Sequence, residues 1–448
     1  MNDPTADLQA KIREQFDSLP YPAIPIAASP QTDYNQLFIH NLVTPYYLRN
    51  QQVIATEGKV ILDAGCGSGY KSLVLAEANP GAKIVGIDLS EASVNQARER
   101  LRFHGFDNVE FHCLPISAVA QLGLSFDYIN CDEVLYLFDD IGHCLRQLRS
   151  VLKPEGILRG NLHSALQRNI FFRAQEVFKL MGLLETNPGA LEAEIAVATI
   201  TALKDEVDLK AKTWNAATTP EQGRDISWIF MNYLFQGDKG YTITDLFAAL
   251  RAADLEFISM VNWRQWELLG LFQEPDDLPL VWAMSLPELS IEQRLRFFEL
   301  LHPIHRLLDF WCGHPDQGRP PQPVADYSQE TWQQAMVYLH PQLRAAAVRE
   351  AICDQVGAYK PLELNQFLSC TANAVVQIPA AFASGLLPLW EGPQTVQTLV
   401  QRFLAVNPRH PVTLAPLTQE QIWPEMVSLL TQLEVFLYVL VEGASQSP

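Results

Sequence analysis

The sequence predicts a doubly wound α/β fold: a parallel sheet interrupted by a helical insertion and followed by a mainly α-helical C-terminal domain. Three observations predict it. Short apolar runs alternate with helical patterns from Lys59 to Gly160. The first run closes on a glycine-rich turn, Asp63-Ala64-Gly65-Cys66-Gly67-Ser68-Gly69, which opens directly onto a helical pattern. Beyond His163 the strand pattern stops and long helical patterns take over.

Taken in order, the first fifty residues are rich in aromatics and proline. Pro20, Pro22, Pro25 and Pro30 forbid a continuous helix, whereas Tyr34, Phe38 and Leu42 fall at helical spacing. KVILDAG is a buried parallel strand by its unbroken apolar run, and AKIVGID is a second. Tyr70 to Ala78 is helical in pattern, and Ser90 caps the helix EASVNQARERLRF. NVEFHCL, FDYINCD and GILRGNLH supply strands three to five; a helix from Ile141 to Leu152 precedes the turn Lys153-Pro154-Glu155-Gly156. Residues 164–224 read as an insertion of helices. A helix capped by Thr242 or Thr244 and a strand from Leu255 to Val261 then resume the α/β pattern. IEQRLRFFELLHPIHRLLDF reads as one helix from Ile291 to Leu308, kinked at Pro303. Thr418 and Gln421 form a capping box ahead of a long apolar helix. The resulting division is 1–50, an N-terminal lid segment; 51–163, the core; 164–224, the insertion; 225–285, the end of the core; and 286–448, the helical C-terminal domain.

A chain of 448 residues has material for two to three domains of roughly 100–200 residues each. Its 48% hydrophobic and 19% charged residues exclude disorder, coiled coil and collagen. A formal charge of −19 argues against a phosphate-tracking nucleic-acid surface and against an anionic membrane surface. The seven cysteines are scattered, odd in number and without a CxxC, as expected of free thiols in a reducing compartment. The polar N-terminus carries no signal-peptide core, and the apolar run Val435 to Val441 is too short to span a bilayer. The expectation is a soluble cytoplasmic protein.

Glycines in the turn let the backbone bend tightly and let a ligand approach its N–H groups. Asp88 ends the second strand, where an acid can accept both ribose hydroxyls of an adenosine. The spacing is DxGxGxG and not the pyrophosphate-seating GxGxxG. VILDAGCGSGYKSLVLA, IVGIDLS and VLKPEGIL resemble the S-adenosylmethionine-dependent methyltransferases of the Rossmann-like class over about Lys59 to Gly160, and more loosely Tyr241 to Val261. The resemblance implies S-adenosyl-L-methionine as cofactor and 51–163 as its binding core. Asp63, Gly65, Cys66, Gly67 and Gly69 would hold its methionine part and Asp88 its ribose. Where relatives carry an adenine-binding Asp, this chain has Cys113-Leu114-Pro115-Ile116-Ser117, so backbone groups and the walls of Leu89 and Leu114 take that role. Asn130, at the end of strand four, is counted with the cofactor residues. It begins Asn130-Cys131-Asp132-Glu133, which is not the [DN]PP[YF] motif of amide and exocyclic amino methylation.

Methyl transfer to an acceptor demands alignment and sometimes a base. Glu133 after strand four, His163 after strand five, and Tyr21 and His40 in the N-terminal segment are the candidates for that work. Each has a plainer alternative: a helix-terminal charge for Glu133, a structural hydrogen bond for His163 and His40, packing for Tyr21. His302, His305, Cys312 and His314 are metal-ligand types, but the apolar setting and the lack of a cysteine pair lead us to expect no metal. The helices beyond the core exceed what transfer to a small molecule needs. The whole chain also resembles a cyanobacterial group that includes the phycobiliprotein asparagine methyltransferase. That resemblance implies a protein acceptor, with an asparagine of a phycobiliprotein as the specific candidate. The alternative is a small-molecule O-, N- or C-methyltransferase whose helices cap the pocket or mediate a homodimer. Phe171, Phe172, Phe178, Phe297, Phe298 and Trp311 are the aromatic residues expected to serve recognition.

Overall fold

Val60–Ala64 (β1) is apolar but for Asp63 and is buried from Ile61 onward, because strands lie on both of its sides and helices on both of its faces. The computed structural model describes residues 24–214, 226–319, 322–370 and 376–443. Lys83–Asp88 (β2) and Val109–Cys113 (β3) extend the sheet on one side of β1. Phe126–Cys131 (β4), Leu152–His163 (β5), Glu256–Met260 (β6) and Leu307–Gly313 (β7) complete it in the order β3-β2-β1-β4-β5-β7-β6. β7 alone runs against its neighbours, pairing Ile157 with Gly313 and His163 with Leu307.

That seventh strand overturns the single helix expected from Ile291 to Leu308. The helix stops at Leu301, because Pro303 has no N–H to donate and restricts the residue before it. Leu308, Phe310, Trp311 and Cys312 then fill the sheet interior between β5 and β6. A strand buried on both faces is apolar throughout, and such a run also satisfies helical spacing, so periodicity could not separate the two. The expected turn at Lys153–Gly156 is instead a bulge inside β5, where the register with β4 jumps between Phe126 and Tyr128.

The helices Tyr34–His40 and Val43–Asn50 are held in the interior. Asn79 accepts from the Leu42 N–H (2.8 Å) and donates to the His40 carbonyl (2.9 Å). Phe38, Val43 and Tyr47 share a core with C-terminal residues such as Val337, Leu430 and Val441. That core surrounds a small three-stranded sheet of Gln394–Thr395, Met336–Leu339 and Val439–Glu442, which the mainly helical expectation leaves out. The insertion helices Asn169–Leu180, Ala190–Ala202 and Ile226–Tyr233 pack on their own cluster around Phe178, Ile200 and Tyr233. Phe178, Phe298 and Trp311 are therefore core residues; of the aromatics singled out from the sequence, Phe297 is exposed.

Candidate active site

Both neighbours of β1 run parallel to it, so the connections leave in opposite directions and open a crevice at the strand ends, the usual ligand position in such sheets. A cavity of about 380 Å³ lies there, within the size range of small-molecule sites. The β1 turn supplies one wall. Gly65, Gly67 and Gly69 have φ of 85°, 49° and 81°, in the left-handed region that penalises side chains. A Cβ on Gly65 would meet Val134 at 2.5 Å, and one on Gly69 would meet the Ala97 backbone at 2.6 Å.

Gly65, Cys66, Gly67, Asp88, Leu89 and Leu114 all line this cavity. The Asp88 carboxylate accepts from the Gly67 and Ser90 N–H groups, each at 2.9 Å. Three other residues expected to touch the cofactor stand behind the lining. Asp63 is buried and accepts from the Ser72 hydroxyl (2.6 Å) and the Asn130 amide (2.9 Å), tying β1 to the following helix and to β4. Burial pushes its carboxyl up to about 6 despite those two donors. Asn130 is itself buried, and Gly69 serves the close approach of two helices.

Glu133 also lines the cavity, on a backbone held at φ 58° by the Asn161 side chain, which accepts its N–H at 2.8 Å. Its carboxylate accepts from the Tyr136 hydroxyl (3.2 Å) and pairs with both terminal nitrogens of Arg306. Burial opposes its ionisation, but His163 and Arg306 together hold its carboxyl down at about 2. It is thus a fixed negative charge and a poor proton acceptor near neutral pH. His163 stands one layer back, stacked on Tyr136 with ring centres 3.8 Å apart, its Nδ1–H donating to Asp238 at 2.6 Å. Arg168 (2.9 Å) and Gln175 (3.0 Å) complete the Asp238 carboxylate.

His40 does not reach the cavity. Its Nδ1–H donates to the Gln36 carbonyl (2.8 Å) and its Nε2 accepts from Arg159 (2.7 Å). Burial, then the charges of Arg159 and Lys71, hold it well below the usual imidazole range, so it is a neutral structural partner. Tyr21 lies outside the described residues. His305 stacks on Trp266 and hydrogen-bonds the Gln265 carbonyl, His314 bonds the Leu152 carbonyl, and Cys312 is buried in β7. Among the described residues no cluster of these types could hold a metal.

The sequence reading missed Lys71, Gln36, Tyr136 and Met231, all of which line the cavity. Lys71 follows the glycine turn by two residues, a signal that was available. Arg306 is 173 positions from Glu133 in the chain, and no sequence pattern links them.

Residues 55–230 match a family model described as a methyltransferase domain. Over 323 residues, 70% of this chain and 72% of the other, the sequence is 28% identical to an uncharacterized protein of a Synechococcus strain. Over 98 residues it is 36% identical to the malonyl-[acyl-carrier protein] O-methyltransferase of Acetivibrio thermocellus, covering 22% of this chain and 33% of that one. The chain thus spans about a third of that enzyme's length. PKMT2 from Rickettsia typhi, solved in complex with AdoHcy, superposes with a TM-score of 0.58 at 15% identity, over 93% of this chain and 76% of its own. The likeness of fold therefore extends through the C-terminal part. The chain carries a class I methyltransferase domain; it is an S-adenosylmethionine-dependent methyltransferase with S-adenosylmethionine as its cofactor. No helix among the described residues is long and apolar enough to cross a membrane.

Proposed function

We propose that this enzyme methylates a protein side chain. The cofactor would lie along the Gly65–Gly67 turn, with Asp88 accepting from its ribose hydroxyls and Leu89, Leu114 and Ile116 enclosing its adenine. The residues fit the group: the side-chain-free Gly65 faces Val134, a carboxylate stands at the end of β2, and the walls beyond it are apolar. When bound, S-adenosylmethionine supplies a methyl group already activated on a sulfonium. Glu133, held ionised, would orient the acceptor and offset positive charge near it. Tyr136, backed by His163 and Asp238, would fix the Glu133 carboxylate. Phe138 and Met231 would help exclude water. Leu37, Phe38 and Val43 to Tyr47 are packed in the interior, whereas Ile24 and Gln36 line the cavity, so a closing part of the N-terminal segment would lie ahead of Leu37.

The observation that carries the protein acceptor is an apolar face on Leu280–Ser285 and Ile291–Leu301. Leu280 and Val281 are 73% and 75% exposed, and Met284, Leu300, Leu301 and Ile304 are exposed with them. Soluble proteins seldom leave such a cluster uncovered without a use for it. Two residues beyond Ile304 the chain reaches Arg306 and its contact with Glu133, so the face leads to the cavity. Glu274, Asp276, Asp277 and Glu288 give its surroundings an acidic character that favours a basic partner surface. An asparagine of a phycobiliprotein remains the specific candidate, supported by overall resemblance to cyanobacterial enzymes and by the Synechococcus relative.

Incubating the full-length enzyme with methyl-labelled cofactor and candidate proteins, followed by mass spectrometry, tests this reading. Label should appear on a protein side chain, and Leu280→Asp with Met284→Asp should abolish it while AdoHcy still binds. Turnover of a free metabolite with every protein ignored would overturn the proposal. It would favour transfer to a small molecule; O-methyl transfer is the activity in the names of the malonyl-[acyl-carrier protein] and Coxiella burnetii ubiquinone-biosynthesis enzymes.

A further inference from the structure

Ile24 lines the cavity beside Tyr70 and Ser93, although residues 24–29 belong to no helix or strand. Two side chains from one helix end hold this strap in place. Arg100, in the last turn of the helix Glu91–Phe103, is fully buried. Its Nη2 donates to the Ile24 carbonyl (2.7 Å), its Nη1 to the Pro25 carbonyl (2.8 Å) and its Nε to the Ser68 carbonyl (3.0 Å). Its guanidinium also lies 5.8 Å from the centre of the Tyr70 ring. His104, which ends the same helix, donates from Nε2 to the Ile26 carbonyl at 2.9 Å. All three guanidinium nitrogens of Arg100 thus bind backbone, and one rigid planar group sets the spacing between the strap and the glycine-rich turn.

The parts of this wall differ in how firmly they are held. The turn is fixed from within: the Gly65 and Cys66 N–H groups donate to the Ile87 carbonyl (2.8 and 3.0 Å), and that of Gly69 to the Cys66 carbonyl (2.9 Å). Tyr70 and Ser93 stand in helices. In the strap, the Ala28 N–H donates to the Pro25 carbonyl (3.0 Å), a bond that closes a turn without tying it to the wall. A segment held by a few side-chain bonds opens at lower free energy than one built into a helix or a sheet. We infer that residues 24–26 form a gate over the cofactor cavity, and that Arg100 is the positioning residue that latches it, with His104 in support. This rests on the cofactor placement proposed above and adds a route of exchange to it. A ligand enclosed between the turn, Leu89 and Leu114 leaves when part of the wall moves, and the strap can lift without breaking a helix or sheet bond. With the latch shut, Ile24 covers the ligand. The bond from Arg100 to Ser68 ties that closed position to the turn itself.

Stopped-flow binding of AdoHcy to the full-length protein reads the gate through two rates. Loosening a latch raises both, because the open state admits as well as releases ligand, whereas damage to the turn raises dissociation alone. In Arg100→Met dissociation should quicken about tenfold or more, the scale of a lost charged hydrogen bond, and association severalfold. His104→Phe removes a bond to the strap and none to the turn, so both rates should rise there too, by less. Association no faster than wild type in both variants overturns the inference. Hydrogen exchange on the wild type keeps it testable should the variants not fold. AdoHcy should protect residues 24–29 together with residues 65–69. Protection of the turn without the strap overturns the gate and leaves the cofactor placement standing. Protection of neither overturns the placement, and the gate with it.

Discussion

Replacing Asp88 with alanine removes the acid at the end of β2 and tests the cofactor orientation directly. Its two oxygens already accept from the Gly67 and Ser90 N–H groups at 2.9 Å, so the substitution acts on both the fold and the ligand. Gly67 and the buried Ser90 both lose an acceptor, which puts the cost to the fold at about 1–3 kcal/mol. Ribose hydroxyls donating to a carboxylate contribute about 1.5–3 kcal/mol, so AdoHcy affinity should fall roughly 10- to 100-fold. Urea unfolding reports the first quantity and titration calorimetry the second. A 2′-deoxy analogue of AdoHcy isolates the ribose contact: it should bind the wild type more weakly than AdoHcy does, while Asp88→Ala should scarcely distinguish the two. Affinity within about twofold of wild type in a folded Asp88→Ala protein would refute the reasoning, since twofold is well below the contribution of one charged hydrogen bond.

Gly69→Ala should destabilise the fold by about 2 kcal/mol or more, because φ is 81° and the added Cβ would meet the Ala97 backbone at 2.6 Å; an unchanged urea midpoint would count against this. Arg159→Met should lower stability by about 3–5 kcal/mol, since it leaves Asp132 and Asp309 buried beside no guanidinium, and thermal unfolding reads the change. Acid should act on two carboxyls in opposite senses. The folded value of Asp63, about 6, lies above its ordinary 3.8, so the folded state binds the proton first and gains stability as pH falls from about 6 toward 4. That of Glu133, about 2, lies below 4.5, so its contribution is present above about pH 4.5 and is lost as pH falls toward 2. Asp63→Asn should remove the first change and Glu133→Gln the second, as followed by denaturant midpoints across pH.

What the sequence by itself determined is what short stretches of backbone encode. The alternation of apolar runs and helical patterns, the Ser90 cap and a threonine cap at 242 or 244, the turn that needs left-handed residues at Gly65, Gly67 and Gly69, and the acid closing β2 all depend on neighbours within a few positions; the fold settles the second cap on Thr242. Gly65, Cys66, Gly67, Asp88, Leu89 and Leu114 on the cavity wall were therefore legible, whereas Asp63, Gly69 and Asn130 stand behind that wall. The tertiary structure alone decided the rest. β7 enters the sheet because residues 307–313 find β5 and β6 open to them, a circumstance that an apolar run cannot announce. His40 became a neutral structural partner and Glu133 a fixed charge because Arg159 and Arg306, remote in sequence, were folded against them. Lys71 and Asp132 acquired their pairing in the same way. The protonation and reach of a side chain depend on burial and on charges a few ångströms away, and those neighbours are fixed by the folded chain rather than by sequence order.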